Sequence, residues 1–424
     1  MRTLRPLVLA VAIALGAAAP AHAAWPVCVQ RTTPVRTGLS ETGRTAEGRL
    51  LTLGLRSRAM GRQKVDVLLP RSYDRSGRTR YPVLYLLHGA GGDRRDWVDD
   101  LGLRELVGRM RLIVVMPDGS ERDPRRNGGY SDWFGLEAGA AGRAPAWESF
   151  HVRELVPFID RRFPTLAGPA GHAVAGISMG GGGAVKYAAA FPGTFGYAAS
   201  LSGSLDPSID RRNPSCKAGD PDEHEVVWRD NSPTALAGNL RGVRLFVRSG
   251  DGTPGPFDPA SAPSDPVEAV IWRTRLATEA GAHVMAERFA AEIRRQRVGG
   301  LDLRFYRGSH SRPYWRRELA QALRWLDAQL RRPPRRRRSF TVASARESFS
   351  AWGWTFRARR RVREFAYVRV GHGRLTVRGS GRLDVTTPGR RRFSISLGRS
   401  HTRDQTRFTP AAIRAWRRVS VRLR

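Results

Sequence analysis

The chain has 424 residues, 41% of them hydrophobic, which suffices for a buried core and suggests roughly two to three domains. Lysine and arginine number 73 against 38 acidic residues, a formal charge of +35 that points to a polyanionic neighbour; only Lys64, Lys186 and Lys217 are lysines, however, and usage so biased toward arginine also fits a GC-rich gene, so charge alone does not establish nucleic-acid binding. Two cysteines, Cys28 and Cys216, are too few for a disulfide-dense scaffold or a four-cysteine zinc site.

In chain order, Arg2 and Arg5 precede the apolar run Leu7 to Ala19, and Ala21-His22-Ala23 supplies the small residues a signal peptidase reads. Residues 1–23 are therefore expected to be a signal peptide, because a run of about 13 residues falls short of the roughly 20 that span a bilayer. The mature protein is expected to be secreted, in a compartment that permits a Cys28–Cys216 disulfide, though two buried thiols are equally compatible.

Residues 24–330 alternate apolar runs with helical periods. Val65–Leu69, Val83–Leu87, Leu112–Met116, Ala173–Gly176, Tyr197–Leu201, Leu245–Val247 and Leu301–Phe305 read as strands. Glu148–Phe163, Gly181–Phe191, Val267–Ala280, Met285–Arg297 and Tyr314–Leu330 read as helices. That alternation specifies an α/β domain with a mostly parallel sheet covered on both faces. Residues 331–338, Arg-Arg-Pro-Pro-Arg-Arg-Arg-Arg, form a self-repelling linker that no helix can cross. Residues 339–424 turn to short β-rich stretches, 363–370, 374–378, 382–386 and 392–397, a small all-β domain.

Chemistry enters at Gly176-Ile177-Ser178-Met179-Gly180. This G-x-S-x-G lies between an apolar strand and a glycine-rich helix start, where the serine Oγ is thrust out of a tight turn. Ser178 is the candidate nucleophile. The oxyanion site requires converging amides, and the candidates are Met179, at the helix start, and Ala90, in the loop Leu87-His88-Gly89-Ala90-Gly91-Gly92. Gly89 and Gly91 are near alternatives, and His88 is a candidate to orient that loop. His310, after the last core strand, is the general base. For the acid, Asp251 follows the strand at 245–247, and Glu268 lies 17 residues later near a helix start; the same side chains could serve as an Asx turn and a helix N-terminal carboxylate. No histidine has metal-ligand spacing, so neither metal nor cofactor is expected.

Tyr197-Ala-Ala-Ser-Leu-Ser-Gly203, Gly250-Asp-Gly-Thr-Pro254, Glu268 with Arg273-Thr274, and Gly308-Ser-His-Ser311 with Tyr314-Trp315 together resemble the secreted mycolyltransferase branch of the esterase D superfamily. The resemblance runs from about Lys64 to Leu330 and implies an α/β-hydrolase fold. It implies that Glu268 is the acid, since that branch carries Asn at the position of Asp251. Arg312 stands where the branch usually has Trp in its acceptor pocket.

The expected function is a secreted serine esterase acting on carboxylic esters through an acyl-enzyme. The alternatives are an acyltransferase that moves the acyl chain to a sugar hydroxyl, and a non-catalytic envelope-binding protein on the same fold. From residue 331 onward 27 arginines face four acids, Glu347, Glu364, Asp384 and Asp404. The basic domain is thus expected to hold the enzyme on anionic envelope polymers or lipid headgroups by arginine contacts, with no specific nucleic acid as partner. A chain ending near Leu330 is expected to keep its hydrolase activity.

Overall fold

The structure is a computed structural model describing residues 26–120, 127–209, 216–334, 337–359, 364–398 and 418–423. The expected signal peptide, 1–23, lies outside the described residues, among which no helix is long and apolar enough to cross a membrane.

Nine strands form one sheet: β1 (Leu39–Glu47), β2 (Leu50–Ser57), β3 (Gly61–Leu68), β4 (Val83–Leu87), β5 (Ile113–Pro117), β6 (His172–Ile177), β7 (Tyr197–Leu201), β8 (Arg244–Gly250) and β9 (Leu301–Tyr306). Their spatial order is β9-β8-β7-β6-β4-β5-β3-β2-β1. Strands β1 to β3 pair antiparallel, β3 joins β5 antiparallel, and the rest are parallel. Every residue of β4 to β7 is buried, which is why these strands read as continuous apolar runs rather than alternating ones. One face packs Tyr85, Leu87 and Val174 against Val185 and Phe158; the other packs Leu84, Leu86 and Val114 against Trp97, Leu319 and Leu323. This is the expected α/β-hydrolase architecture.

Strand order reverses at β4, which has β5 on one side and β6 on the other. The loops leaving the carboxyl ends of β4 and β6 therefore diverge and open a crevice there. The helices that matter are α1 (Met179–Ala190), α2 (Pro266–Arg295) and α3 (Arg312–Leu330). Where the sequence suggested two helices, 267–280 and 285–297, α2 is one helix of 30 residues. Gly281, in the gap, costs about 1 kcal/mol of helix propensity without ending the helix. Asp265 caps it, accepting the amides of Val267 and Glu268 at 2.9 Å each. The segment expected as a helix from Glu148 is a π-helix over Ser149–Leu155, continued as α-helix over Val156–Arg162.

A short strand Cys28–Gln30 pairs antiparallel with Gly135–Glu137, and Cys28 is disulfide-bonded to Cys216 with 5.5 Å between Cα atoms. After the linker, two four-stranded antiparallel sheets stack around a core of Val342, Phe356, Val368, Leu375, Val377 and Val385. The first holds β10 (Phe340–Ser344), β13 (Ala366–Gly371), β14 (Arg374–Arg378) and β17 (Arg418–Arg422), in that order. The second holds β11 (Ser348–Ala351), β12 (Trp354–Ala358), β15 (Gly381–Thr386) and β16 (Arg392–Gly398).

Candidate active site

Ser178 sits between β6 and α1 with φ 52° and ψ −120°, a conformation that a non-glycine residue adopts only when its surroundings impose it. Its amide donates to Leu201 O at 2.9 Å, and its carbonyl accepts from Gly182 and Ser204. A Cβ at Gly180 would run into the Leu87 carbonyl, and one at Gly176 into the Gly180 backbone. The two glycines of the motif thus let the turn press against β4.

The imidazole of His310, on the loop between β9 and α3, accepts from Ser178 Oγ at Nε2, 2.8 Å. The His310 amide donates to Arg275 O at 3.1 Å, and Trp315 meets the ring edge-on at 5.0 Å between centroids. At its other nitrogen, Nδ1–H donates to Glu279 Oε2 at 2.6 Å. Glu279 is fully buried, and its Oε1 accepts the Gly250 amide at 2.6 Å and Ser249 Oγ at 3.1 Å. Three donors suit a carboxylate that cannot reach water. Gly250 is required here: a Cβ would lie 2.5 Å from Gly308 O and 2.9 Å from Glu279 Cγ.

The partner of His310 corrects the expected acid. Glu268 is exposed in the first turn of α2, where it complements the helix dipole. Eleven residues separate it from Glu279, about three helical turns, so both project from nearly the same face but about 16 Å apart along the axis. Asp251, at the end of β8, is also not the partner. Its Oδ1 accepts the amide of Thr253 at 2.8 Å and its hydroxyl at 2.6 Å, an Asx turn. Burial pushes its pKa up, and these hydrogen bonds outweigh burial and hold it below the usual carboxylate range. The carboxylate beside His310 reaches the end of β8 from the helix opposite, not from the strand.

His88 fixes the expected oxyanion loop. Its Nε2 accepts the Gly119 amide at 2.9 Å, so Nδ1 carries the proton and donates to Gly89 O at 2.7 Å. Gly89 O also accepts from Gly92. In a trans peptide the carbonyl and the next amide point opposite ways, so anchoring Gly89 O turns the Ala90 N–H to the other side. Ala90 and Ser178 line one pocket there. Met179 opens α1, and a first-turn amide has no intrahelical acceptor.

The pocket has a volume of about 640 Å³ and is walled by Met179, Trp228, Ala282 and Met285 on its apolar side and by Lys186 and Asn231 elsewhere. Lys186, on α1, is buried and donates to Tyr130 O at 2.5 Å and Asn231 Oδ1 at 3.3 Å. Burial lowers its pKa to about 8 against the opposing pull of Glu148. Arg312 lies outside this pocket and pairs with Asp100 at 2.7 Å. Among the described residues, no group of three or more His, Cys, Asp or Glu side chains converges as metal ligands.

The basic domain packs against the hydrolase beside Lys186, in a cluster of opposite charges. Arg346, between β10 and β11, donates from Nε and NH2 to Glu148 at 2.9 and 2.8 Å and pairs with Asp230 at 2.7 Å. Glu148 and Asp230 are buried, and Arg346 is nearly so, with 12% of its side chain exposed. Burial opposes both charges of the Arg346–Glu148 pair, yet the carboxylates raise Arg346, while Arg346 and Lys186 hold Glu148 below its ordinary range; at Asp230 burial prevails and raises the pKa. Nearby, the Trp352 amide donates to Pro192 O, just past the end of α1, and Asn239 bridges Ala189 O to the backbone of Ala343. The domain therefore grips the far end of the helix that starts at the nucleophile. Nothing local marks Arg346 among the many arginines of the tail. Arg346→Met is expected to destabilise the protein by about 3–5 kcal/mol, because two buried carboxylates lose their partner; denaturant unfolding checks this. Removal of everything after Leu330 should cost at least as much.

Residues 57–326 match the model of the Esterase family. Among curated proteins, Esterase Rv1288 of Mycobacterium tuberculosis is 46% identical over 141 residues, 33% of this chain and 28% of that protein, so the chain spans under a third of that relative. Diacylglycerol acyltransferase/mycolyltransferase Ag85A of Mycobacterium gordonae is 30% identical over 262 residues, covering 57% of this chain and 70% of that one. Among solved structures, Mycobacterium tuberculosis MPT51 (FbpC1) aligns with 21% identity and a TM-score of 0.48, covering 64% of this chain and 94% of its own. The family match contains the serine elbow, the histidine loop and the glutamate-bearing helix, and the chain belongs to the Esterase family, on an α/β-hydrolase fold.

Proposed function

We propose that the protein is a secreted serine esterase that cleaves carboxylic esters through an acyl-enzyme. The observation that carries this is the unbroken relay from Ser178 Oγ through His310 to buried Glu279. Ser178 Oγ attacks the ester carbonyl while His310 Nε2 takes its proton, and Glu279 holds the imidazolium at Nδ1–H. The amides of Ala90 and Met179 receive the developing oxyanion. His310 returns the proton to the leaving alcohol, then deprotonates the acceptor that releases the acyl group. A non-catalytic role on this fold would leave the strained serine and its fully bonded partners without a purpose.

The acceptor is water in this reading. A sugar hydroxyl is the second reading, favoured by the likeness to the mycolyltransferase. A series of p-nitrophenyl esters of increasing acyl length, with and without trehalose, separates the two: free acid at the same rate in both arms is expected, whereas acylated trehalose would establish transfer. The Cys28–Cys216 disulfide supports an oxidising compartment and thus export by the signal peptide. The excess positive charge of the C-terminal domain supports attachment to anionic envelope material.

A further inference from the structure

One sheet face of the C-terminal domain carries five arginines with no ion-pair partner among the described residues. In the sheet β10-β13-β14-β17, residues opposite one another across strands share a face, and alternate residues along each strand do so too. Val342, Val368, Leu375, Val377, Val419 and Val421 point to the sandwich core or pack against it. The outer face consequently carries Arg369, Arg374, Arg378, Arg418 and Arg422, with Thr341, Thr376 and Ser420 between them. Among the described residues on this face there is no aspartate or glutamate.

Arg374 lies directly opposite Arg422, and Arg378 directly opposite Arg418. Like charges in cross-strand positions, about 5 Å apart, repel and destabilise a sheet. Among the described residues none of the five arginines has an ion-pair partner; the one hydrogen bond a guanidinium makes is from Arg374 Nε to Ser420 Oγ, 3.3 Å. The second sheet is different, since its Asp384 pairs with Arg359 at 2.9 Å and accepts from Ser394. At its β10 margin the arginine face meets the hydrolase, where Ala343 and Tyr367 pack against the hydrolase core. Beyond that margin Arg369, Arg374, Arg418, Ser420 and Arg422 are exposed.

We propose that this face binds a linear anionic polysaccharide. The two close arginine pairs lie four residues apart along β14, about 13 Å, and Arg369 stands opposite Thr376 midway between them. A chain laid along the strands meets a clamp of two guanidinium forks at each pair, and each clamp neutralises a repulsion present in the free protein. The hydroxyls of Thr376 and Ser420, 3.3 Å apart, lie between the clamps and suit sugar hydroxyls. Among the described residues, every exposed large hydrophobic one lies before residue 285, outside this domain, so they give membrane insertion no support. Nor do the described residues support stacking of nucleic-acid bases: the one aromatic among them on this face, Tyr367, is packed toward the hydrolase.

This proposal rests on the envelope-attachment reading and sharpens it. Its test compares the full mature protein with R374Q/R378Q/R418Q/R422Q and with R357Q/R382Q/R390Q/R392Q, which removes equal charge from the other sheet and its turn. Binding to polygalacturonate is measured by titration at about 0.15 M salt, with neutral dextran, poly(dT) and phosphatidylglycerol vesicles alongside. The face variant is expected to lose at least thirtyfold in affinity and the control less than threefold. The face variant should also keep full ester hydrolysis and melt at a slightly higher temperature, since two repulsive pairs are gone. Equal losses in the two variants, or tighter binding to poly(dT) or vesicles than to polygalacturonate, would overturn the proposal. If the wild-type protein binds none of the polyanions, the attachment reading itself fails; if it binds and the face variant binds as well, only the assignment to this face fails.

Discussion

Ser178→Ala is expected to lower ester hydrolysis by up to about a millionfold while leaving the fold intact. The side chain removed is one hydroxyl, and the turn that holds it is built from the glycines on either side and from backbone hydrogen bonds that alanine keeps. With the nucleophile gone, His310 and Glu279 have no proton to relay, so the residual rate comes from the oxyanion amides and binding alone. Retention of more than a few per cent of the rate by a pure preparation would remove Ser178 from the mechanism.

Glu279→Gln should cost up to about ten-thousandfold in kcat. The glutamine oxygen can still accept from Gly250 and Ser249, which leaves its amide nitrogen facing His310 Nδ1. A donor there drives the imidazole to the tautomer protonated at Nε2, which cannot accept the serine proton. Glu268→Gln, on the same helix face but three turns away and exposed, should stay within about twofold of wild type. Parallel kcat measurements on the two variants decide between the carboxylates, and a larger loss at Glu268 would reverse the assignment.

The residues legible in the sequence are those whose role is encoded locally. Ser178 is marked by glycines that a tight strand-to-helix turn demands, and His310 by its place after the last strand of the sheet. Both meet at 2.8 Å. The buried strands were legible for a similar reason, because continuous apolar runs such as Val83–Leu87 admit few other environments. Glu279 was not, since its role depends on the register of a long helix against β8. Reading α2 as two helices divided near Gly281 hid the fact that Glu279 lies mid-helix, and the order serine, acid, histidine is satisfied equally by Asp251, Glu268 and Glu279. Helical spacing could have flagged it, because residues 268 and 279 share a face. Arg346 was hidden differently: in a tail with 27 arginines no pattern singles out the one that pairs with two carboxylates of the hydrolase. Its partners Glu148 and Asp230 stand 82 residues apart in the sequence, and only the packed domains bring the three together. The charge distribution did not reveal this contact either, since net charge describes the exposed faces of a domain and says nothing of the face it docks with.

The most direct test of the account is to trap the acyl-enzyme. Wild-type protein mixed with excess p-nitrophenyl ester and quenched in acid within milliseconds should release a burst of about one p-nitrophenol per active site. Mass spectrometry of the digested protein should place one acyl group on Ser178, and Ser178→Ala should show neither burst nor adduct. An acyl group on any other residue, or turnover of the ester with Ser178 unmodified at every quench time under conditions where deacylation is slowed, would contradict covalent catalysis by the Ser178–His310–Glu279 relay.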